Sequence, residues 1–344
     1  MNKNEQTLFG QTRAQGSRAK TPLSFSRTGN NFVYSDNPES FTLSPDNLYS
    51  LWGGNLTASY KEFEMYHMLN NGWNNNASIY AGIAVYNSTR STVTVTYKES
   101  TASLDIDPQS QSDALACPAT TSMQQYYHES AWEKTVYVAA GEVVDLSNIV
   151  TQFKSKHRKF IGLRGCVKAS VNSGVKFRVY VAGAEKRNYI SELFTTEQYE
   201  TAVGTQFCGE LPYSEVRATI PWSNSKKYMI FEHPVSNNRG EYATAITYKD
   251  SISTLAGNFG VKYHLTITGT SGKYIWIEPD WTIDGRTKAT IVYRFNNGSW
   301  IARSTPITQN ACWYLALPTN SAGNTTVDII LPGGNFGNYW VYFS

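Results

Sequence analysis

Residues 79–86 (IYAGIAVY) and 92–97 (TVTVTY) are rich in β-branched and aromatic residues and alternate with a period of two. This pattern is typical of β-strands, whose successive side chains point to opposite faces of a sheet. Only residues 87–90 (NSTR) separate the two segments, which predicts a β-hairpin. Residues 166–171 and 175–181 flank a short turn rich in Asn, Ser and Gly, and they predict a second hairpin.

The same pattern continues to the end of the chain, with turn residues between short strand-like segments. Further strands are predicted at residues 32–35, 135–139, 143–146, 216–220, 227–231, 242–248, 259–268, 274–277, 288–295, 312–317, 326–331 and 339–343. Helix signals are few. Residues 110–127 are interrupted by Pro118, and residues 189–200 fit either a short helix or an extended linker. This spacing favours sandwiches or jelly rolls over βαβ units.

We therefore predict an all-β protein with two antiparallel β-sandwich or jelly-roll-like domains, residues 32–190 and 191–344, preceded by an extended N-terminal arm, residues 1–31. The length of 344 residues accommodates two domains, and the hydrophobic content of 41% is sufficient for packed cores. Charged residues make up only 17% of the chain and the net charge is +3. Weak charge lowers the repulsion between copies and favours self-association. No apolar run is long enough to span a membrane, and no standard signal peptide is present.

The arm is polar and basic, which distinguishes it from both a signal peptide and a core segment. It contains several basic residues but a single acidic residue, Glu5. A free tail of this composition is typically disordered, so an ordered arm must be held by contacts with other residues. We expect a neighbouring subunit to supply these contacts. The residues predicted to make this assembly contact are Lys3, Phe9, Arg13, Arg18, Lys20 and Arg27. Nucleic acid is the less favoured partner, because the rest of the chain is nearly neutral.

A series of short motifs carries a resemblance to a known family. The motifs are residues 32–39 (FVYSDNPE), 48–49 (LY), 65–70 (MYHMLN), 84–87 (AVYN), 93–96 (VTVT), 138–141 (VAAG) and 257–263 (GNFGVKY). Their order resembles surface proteins of spore-forming Gram-positive bacteria, some of which carry a stalk domain of the copper amine oxidase N-terminal type. The resemblance implies two β-sandwich-like units, a spore or cell-envelope setting and no catalysis. The basic arm stands where such proteins have a signal and a stalk.

The search for catalytic motifs yields no catalytic residues and no cofactor. An amine oxidase needs Asn-Tyr-Asp/Glu, but Asn188-Tyr189 precedes Ile190 and Asn338-Tyr339 precedes Trp340. The five histidines have no metal-binding spacing, and G-x-S-x-G is absent. The four cysteines, Cys117, Cys166, Cys208 and Cys312, have no C-x-x-C spacing, and we expect free thiols rather than disulfides.

Two binding sites remain as candidates. Glu278, Asp280 and Asp284 lie close together in a loop-like stretch and form a candidate Ca²⁺ site, although acids beside Pro and Gly are also common in turns. Asp105 and Asp107 form a similar pair.

The second candidate is a glycan platform of Trp73 with Asn74 in an Asn-rich segment, although most tryptophans of a β-sandwich fill its core.

The sequence thus predicts a non-catalytic structural protein that self-assembles into a fibre, lattice or inclusion. Its expected location is a spore or cell surface, or an intracellular inclusion in a sporulating cell. Two alternatives remain open: a carbohydrate-binding or adhesive module, and a viral capsid-type shell protein with a basic arm.

Overall fold

The computed structural model describes residues 18–73, 75–106, 117–128, 133–146, 149–154, 157–195, 206–231, 243–248, 254–255, 257–269, 274–279, 288–306, 313–316, 323–334 and 339–343. The strands within these ranges are β1 (Ala19–Lys20), β2 (Ser26–Thr28), β3 (Asn31–Ser35), β4 (Ser40–Leu43), β5 (Leu48–Leu56), β6 (Lys61–Asn71), β7 (Ala77–Asn87), β8 (Val93–Ile106), β9 (Lys134–Val138), β10 (Val143–Asp145), β11 (Ile149–Phe153), β12 (Arg158–Ala169), β13 (Val175–Gly183), β14 (Cys208–Leu211), β15 (Glu215–Pro221), β16 (Lys226–Ile230), β17 (Ala243–Thr244), β18 (Thr247–Tyr248), β19 (Thr254–Leu255), β20 (Lys262–Thr268), β21 (Tyr274–Pro279), β22 (Lys288–Phe295), β23 (Ile301–Pro306), β24 (Trp313–Ala316), β25 (Asn324–Ile330) and β26 (Tyr339–Phe343). The helices are α1 (Cys117–His128) and a 3-10 helix (Ala184–Phe194). The predicted all-β class is confirmed.

The chain forms two compact units. The N-terminal unit comprises Asn30–Pro212 and Ala245–Ser253, and the C-terminal unit comprises Met1–Gly29, Tyr213–Thr244 and Thr254–Ser344. This division differs from the expected boundary after residue 190. The reason is that β14, which follows that position, pairs with β3 and therefore belongs to the first sheet system. The end of the predicted arm likewise belongs to a unit, since residues up to Gly29 group with the C-terminal unit.

Two sheets make up the N-terminal unit. One has the strand order β18-β14-β3-β6-β12-β8-β9, with β4 also paired to β6; the other has the order β10-β7-β13-β5, with β11 also paired to β7. Apolar side chains from both sheets form one buried core, in which the rings of Phe63 and Phe177 meet edge to face with centroids 5.0 Å apart. Most pairings are antiparallel, but β3 and β4 run parallel to β6.

Neither of the predicted hairpins forms. β7 and β8 lie in different sheets, and so do β12 and β13. Both pairs are therefore connections that cross from one sheet of the sandwich to the other. Alternation shows which face of a strand is buried, but it does not show whether the following strand pairs beside it or crosses the core.

Asn87 holds the first of these crossings together. Its side chain is fully buried, and Nδ2 donates to the carbonyl oxygens of Ser91 at 2.8 Å and Val138 at 2.9 Å. Its Oδ1 accepts from both the backbone N–H of Thr89 at 2.9 Å and the Thr89 hydroxyl at 2.7 Å. One amide thus satisfies the backbone of the turn and ties it to β9.

We expect Asn87→Ala to lower the free energy of unfolding by about 3 kcal/mol, because it leaves several buried polar groups without partners. Chemical denaturation followed by tryptophan fluorescence measures this change. Asn55→Ala, at an exposed position of β5, is the matched control. A loss below about 0.5 kcal/mol, the usual range for surface substitutions, would contradict the role assigned to Asn87.

Helical segments cover the outer faces of the N-terminal sandwich. Helix α1 packs on Tyr66 and Phe160, and the 3-10 helix packs through Leu193 on the other sheet. Pro118 lies in the first turn of α1, where proline is tolerated, so it starts the helix instead of breaking it. Gly162 permits the close approach of α1, since a Cβ there would lie 2.8 Å from the backbone of Pro118 and Ala119.

The C-terminal unit is also built from two main sheets. Their orders are β1-β16-β26-β21-β24 and β2-β15-β20-β25-β22-β23, beside the small pair β17-β19. Aromatic rings join the main sheets: Phe231 meets Tyr263 at 4.5 Å and Tyr339 at 5.7 Å between centroids. β15 runs parallel to β20, and β1 runs parallel to β16.

Candidate functional site

The end of the N-terminal arm adds a strand to each main sheet of the C-terminal unit. β1 lies beside β16, where the N–H of Ala19 donates to Ser225 O at 2.8 Å and that of Thr21 donates to Lys227 O at 2.9 Å. β2 pairs antiparallel with β15, so that Thr28 faces Glu215. Both arm strands are exposed, and main-chain pairing therefore supplies much of their attachment.

Basic arm side chains lie on a row of aromatic rings. Trp276, Trp340 and Tyr342 are buried on one face of their sheet, and the rings of Trp276 and Tyr342 stack with an interplanar angle of 6°. The Arg18 guanidinium lies 5.1 Å from the Tyr342 ring centroid, and the Lys20 ammonium lies 5.0 Å from that of Trp340. Such cation–π contacts each contribute about 0.5–2 kcal/mol, depending on how far they are desolvated.

Three further contacts attach the docked arm, two at its ends and one between them. Arg18 Nη2 donates to Phe343 O at 3.0 Å. At the other end, Arg27 lies over the Tyr213 ring at 5.3 Å. Between them, Phe25 meets Tyr263 edge to face at 5.4 Å, which inserts an arm ring beside the core.

A pocket of about 720 Å³ lies under the arm, between β1 and β2. Its wall consists of Thr21, Pro22, Leu23, Ser24, Phe25 and Ser26 from the arm, and of Arg217, Ala218, Thr219, Pro221, Lys226, Tyr228, His264 and Thr266 from the body of the unit. Tyr228 is 2% exposed, and within the described residues its hydroxyl has no hydrogen-bond partner. Burial raises the pKa of Tyr228 above that of a free tyrosine, which is itself protonated at neutral pH.

Of the predicted assembly residues, Arg18, Lys20 and Arg27 contact their own chain. Lys3, Phe9 and Arg13 lie outside the described residues. The single chain therefore shows where the end of the arm docks, and the expected contact with a neighbouring subunit stays a prediction.

Only some of the candidate Ca²⁺ ligands lie within the described residues. Glu278 lies in strand β21 rather than in a loop, is fully buried, and accepts a hydrogen bond from the Tyr342 hydroxyl at 2.9 Å. Asp280, Asp284 and Asp107 lie outside the described residues. Asp105 pairs with Lys159 at 2.7 Å. No group of three His, Cys, Asp or Glu residues that could hold a metal ion occurs in the described part of the chain.

The candidate glycan platform differs from an open stacking surface. Trp73 is half-buried and packs against the core of the N-terminal sandwich, while its backbone N–H donates to Asn71 Oδ1 at 2.8 Å. Asn74 lies outside the described residues. Cys166 and Cys208 are free thiols, as expected, and Cys208 is buried.

The sequence did not predict the row of aromatic rings formed by Trp276, Trp340 and Tyr342, or the pocket under the arm. β26 was predicted as a strand, but its residues YWVYF are buried on both faces, and an uninterrupted apolar run is the signal for such two-sided burial. Nothing local to Arg217, Lys226 or His264 indicates that they share a pocket, since they come from three different strands.

No protein-family model and no curated protein matches the chain. Among solved structures, the N-terminal CBM22-1-CBM22-2 tandem domain of Paenibacillus barcinonensis Xyn10C aligns over 100% of this chain and 99% of that chain, with 9% sequence identity and a TM-score of 0.17. A likeness this weak carries no argument. No helix in the described ranges is long and apolar enough to cross a membrane.

Proposed function

We propose that the protein is a non-catalytic structural protein that self-assembles by placing its N-terminal arm on a neighbouring subunit. The observation that carries this proposal is the pairing of the arm strands with the edges of β16 and β15. An edge strand offers main-chain donors and acceptors to any extended segment, so the same pairing can be made by the arm of another copy. Exchange of an identical element is an economical route to oligomers.

The form of the arm supports such an exchange. β1 and β2 have two and three residues, all exposed, so little apolar surface holds these strands to their own chain. Gly29, with a φ of +88°, connects the arm to Asn30, and the left-handed conformation suits a glycine. A change of backbone angles there would redirect the arm without breaking any strand of the N-terminal unit.

The wider setting we propose is a fibre, lattice or inclusion of a bacterial spore or cell surface. This part of the proposal is supported by the sequence resemblance and by the low charge of the chain, at 17% charged residues. Head-to-tail contacts through an arm build open polymers when the rotation between copies does not close.

A cysteine pair distinguishes an exchanged arm from one that docks on its own chain. Ala19 and Lys226 are register partners in β1 and β16, and neighbouring Cα atoms in a sheet lie within disulfide range. In the Ala19→Cys/Lys226→Cys variant we expect mild oxidation to link different chains, giving covalent ladders on a non-reducing gel. Ala19→Cys alone is the control for thiols elsewhere in the chain.

Linkage confined to single chains at assembling concentrations would contradict the proposal. As a second readout, deletion of residues 1–28 removes both arm strands but keeps β3, which begins at Asn31. We expect electron microscopy of this variant to show no ordered assemblies, whereas unchanged assemblies would exclude the arm as the connector.

A further inference from the structure

The pocket under the arm has the charge of an anion-binding site. Arg217, Lys226 and His264 line it, and none of the described residues of its wall is acidic. Two nearby carboxylates already have partners. Glu215 pairs with Arg217, and also with Lys262 at 2.5 Å, while Asp328 accepts from Arg294 at 2.6 Å and meets His264 Nδ1 at 2.6 Å.

These pairs leave the surroundings of the pocket positive. Among the described residues that line the pocket or belong to these ion pairs, the permanent charges of Arg217, Lys226, Lys262 and Arg294 outnumber those of the two carboxylates. The contact of His264 Nδ1 with Asp328 also fixes the ring, so Nε2 is the nitrogen that remains for a ligand.

Hydroxyl groups make up much of the remaining wall. They belong to Thr21, Ser24, Ser26, Thr219, Thr266 and Tyr228. The Tyr228 hydroxyl is the informative member of this set, because it is buried and lacks a partner among the described residues. The Tyr228 oxygen has almost no exposed surface, so a ligand oxygen reaches it only when the pocket wall shifts slightly on binding. The new hydrogen bond then recovers the free energy that a buried hydroxyl without a partner costs.

We propose that this pocket binds an acidic sugar, a saccharide that carries a carboxylate, sulfate or phosphate group. The basic side chains would hold the anionic group, and Tyr228 with the Thr and Ser hydroxyls would bond the sugar hydroxyls. The volume of about 720 Å³ falls inside the range of about 300–1,000 Å³ found for small-molecule sites. Because arm residues form part of the wall, the ligand would also hold the arm in place, whichever copy supplies it.

Isothermal titration of the full chain at low salt tests this assignment with glucuronate, glucose 6-phosphate, glucose and inorganic sulfate. We expect at least one acidic sugar to bind about tenfold more tightly than both glucose and sulfate. Arg217→Gln/Lys226→Gln should weaken that binding by about tenfold or more, because charged hydrogen bonds are lost. Tyr228→Phe should weaken it by a smaller factor. Arg90→Gln, at an exposed position of the N-terminal unit, is the matched control.

Three results would overturn the assignment. These are no binding of either acidic sugar at millimolar concentration, unchanged binding in Arg217→Gln/Lys226→Gln, or sulfate binding as tightly as the acidic sugars, which would leave a simple anion site. Circular dichroism of each variant shows whether a loss of binding reflects unfolding, and Tyr228→Phe keeps the test valid if the double variant does not fold. The outcome is independent of self-assembly, because monomeric protein contains the same pocket.

Discussion

Arg164→Met is expected to lower the free energy of unfolding by about 3–5 kcal/mol, the usual cost of removing one partner from a buried ion pair. Arg164 lies on β12 and is fully buried. Its Nη2 donates to Glu62 at 2.6 Å and to the Tyr127 hydroxyl at 2.9 Å, and its Nη1 lies 3.5 Å from Glu64. Methionine would fill much of the volume but leave two largely buried carboxylates without their cation.

The origin of this loss can be tested by removing the charges together. Because the penalty comes from unpaired carboxylates, Arg164→Met/Glu62→Gln/Glu64→Gln should recover most of the stability lost in Arg164→Met. Urea denaturation measures all three proteins, with Lys176→Met at an exposed position of β13 as the control. If Arg164→Met alone stays within about 0.5 kcal/mol of the wild type, the usual range for surface substitutions, the ion cluster is not needed.

Glu99→Gln is expected to make the protein more stable at pH 8 by an amount on the order of 3 kcal/mol, because burial raises the pKa of Glu99 well above its ordinary value. The Glu99 side chain is mostly buried, and burial raises its pKa from 4.5 to about 7, although the nearby Lys134 ammonium opposes the shift. The folded chain therefore binds a proton more tightly than the unfolded chain does. Stability from this group is full below pH 4.5, falls as pH rises, and is lost above about pH 7.

The measurement is the difference in unfolding free energy between variant and wild type at pH 4, 6 and 8. Glutamine cannot ionise, so the difference should grow with pH across this range in favour of the variant. Glu185→Gln, at an exposed position, controls for a general charge effect and should give a small, flat difference. Parallel pH profiles for Glu99→Gln and wild type would show that burial does not shift this carboxyl.

The strands of this fold could be predicted from sequence, and their partners could not. Alternation located β7 and β13 to within two residues and found one end of β8 and of β12, because the period of two records which face of each strand is buried. Whether adjacent strands pair or cross the core depends on contacts such as those of Asn87 with β9, which lies far along the chain. The local sequence does not indicate such a contact.

The candidate site was likewise predictable only in part. The basic residues Arg18, Lys20 and Arg27 could be recognised because charge stands out in a sparsely charged chain. Their aromatic partners Trp340 and Tyr342 could not be assigned, since a tryptophan or tyrosine in a strand fits a core equally well. The pocket could not be predicted from the sequence, because its wall combines arm residues with strands about two hundred residues further along the chain.

The docking of the arm also orders events during synthesis. Arg18 leaves the ribosome long before its hydrogen-bond acceptor, because that carbonyl belongs to Phe343, 325 residues later. β16 gains its neighbour β26 only when Tyr339–Phe343 has been translated. The nascent arm therefore has no completed docking site on its own chain until Phe343 has been synthesised, and residues 18–28 stay undocked while the intervening chain is made.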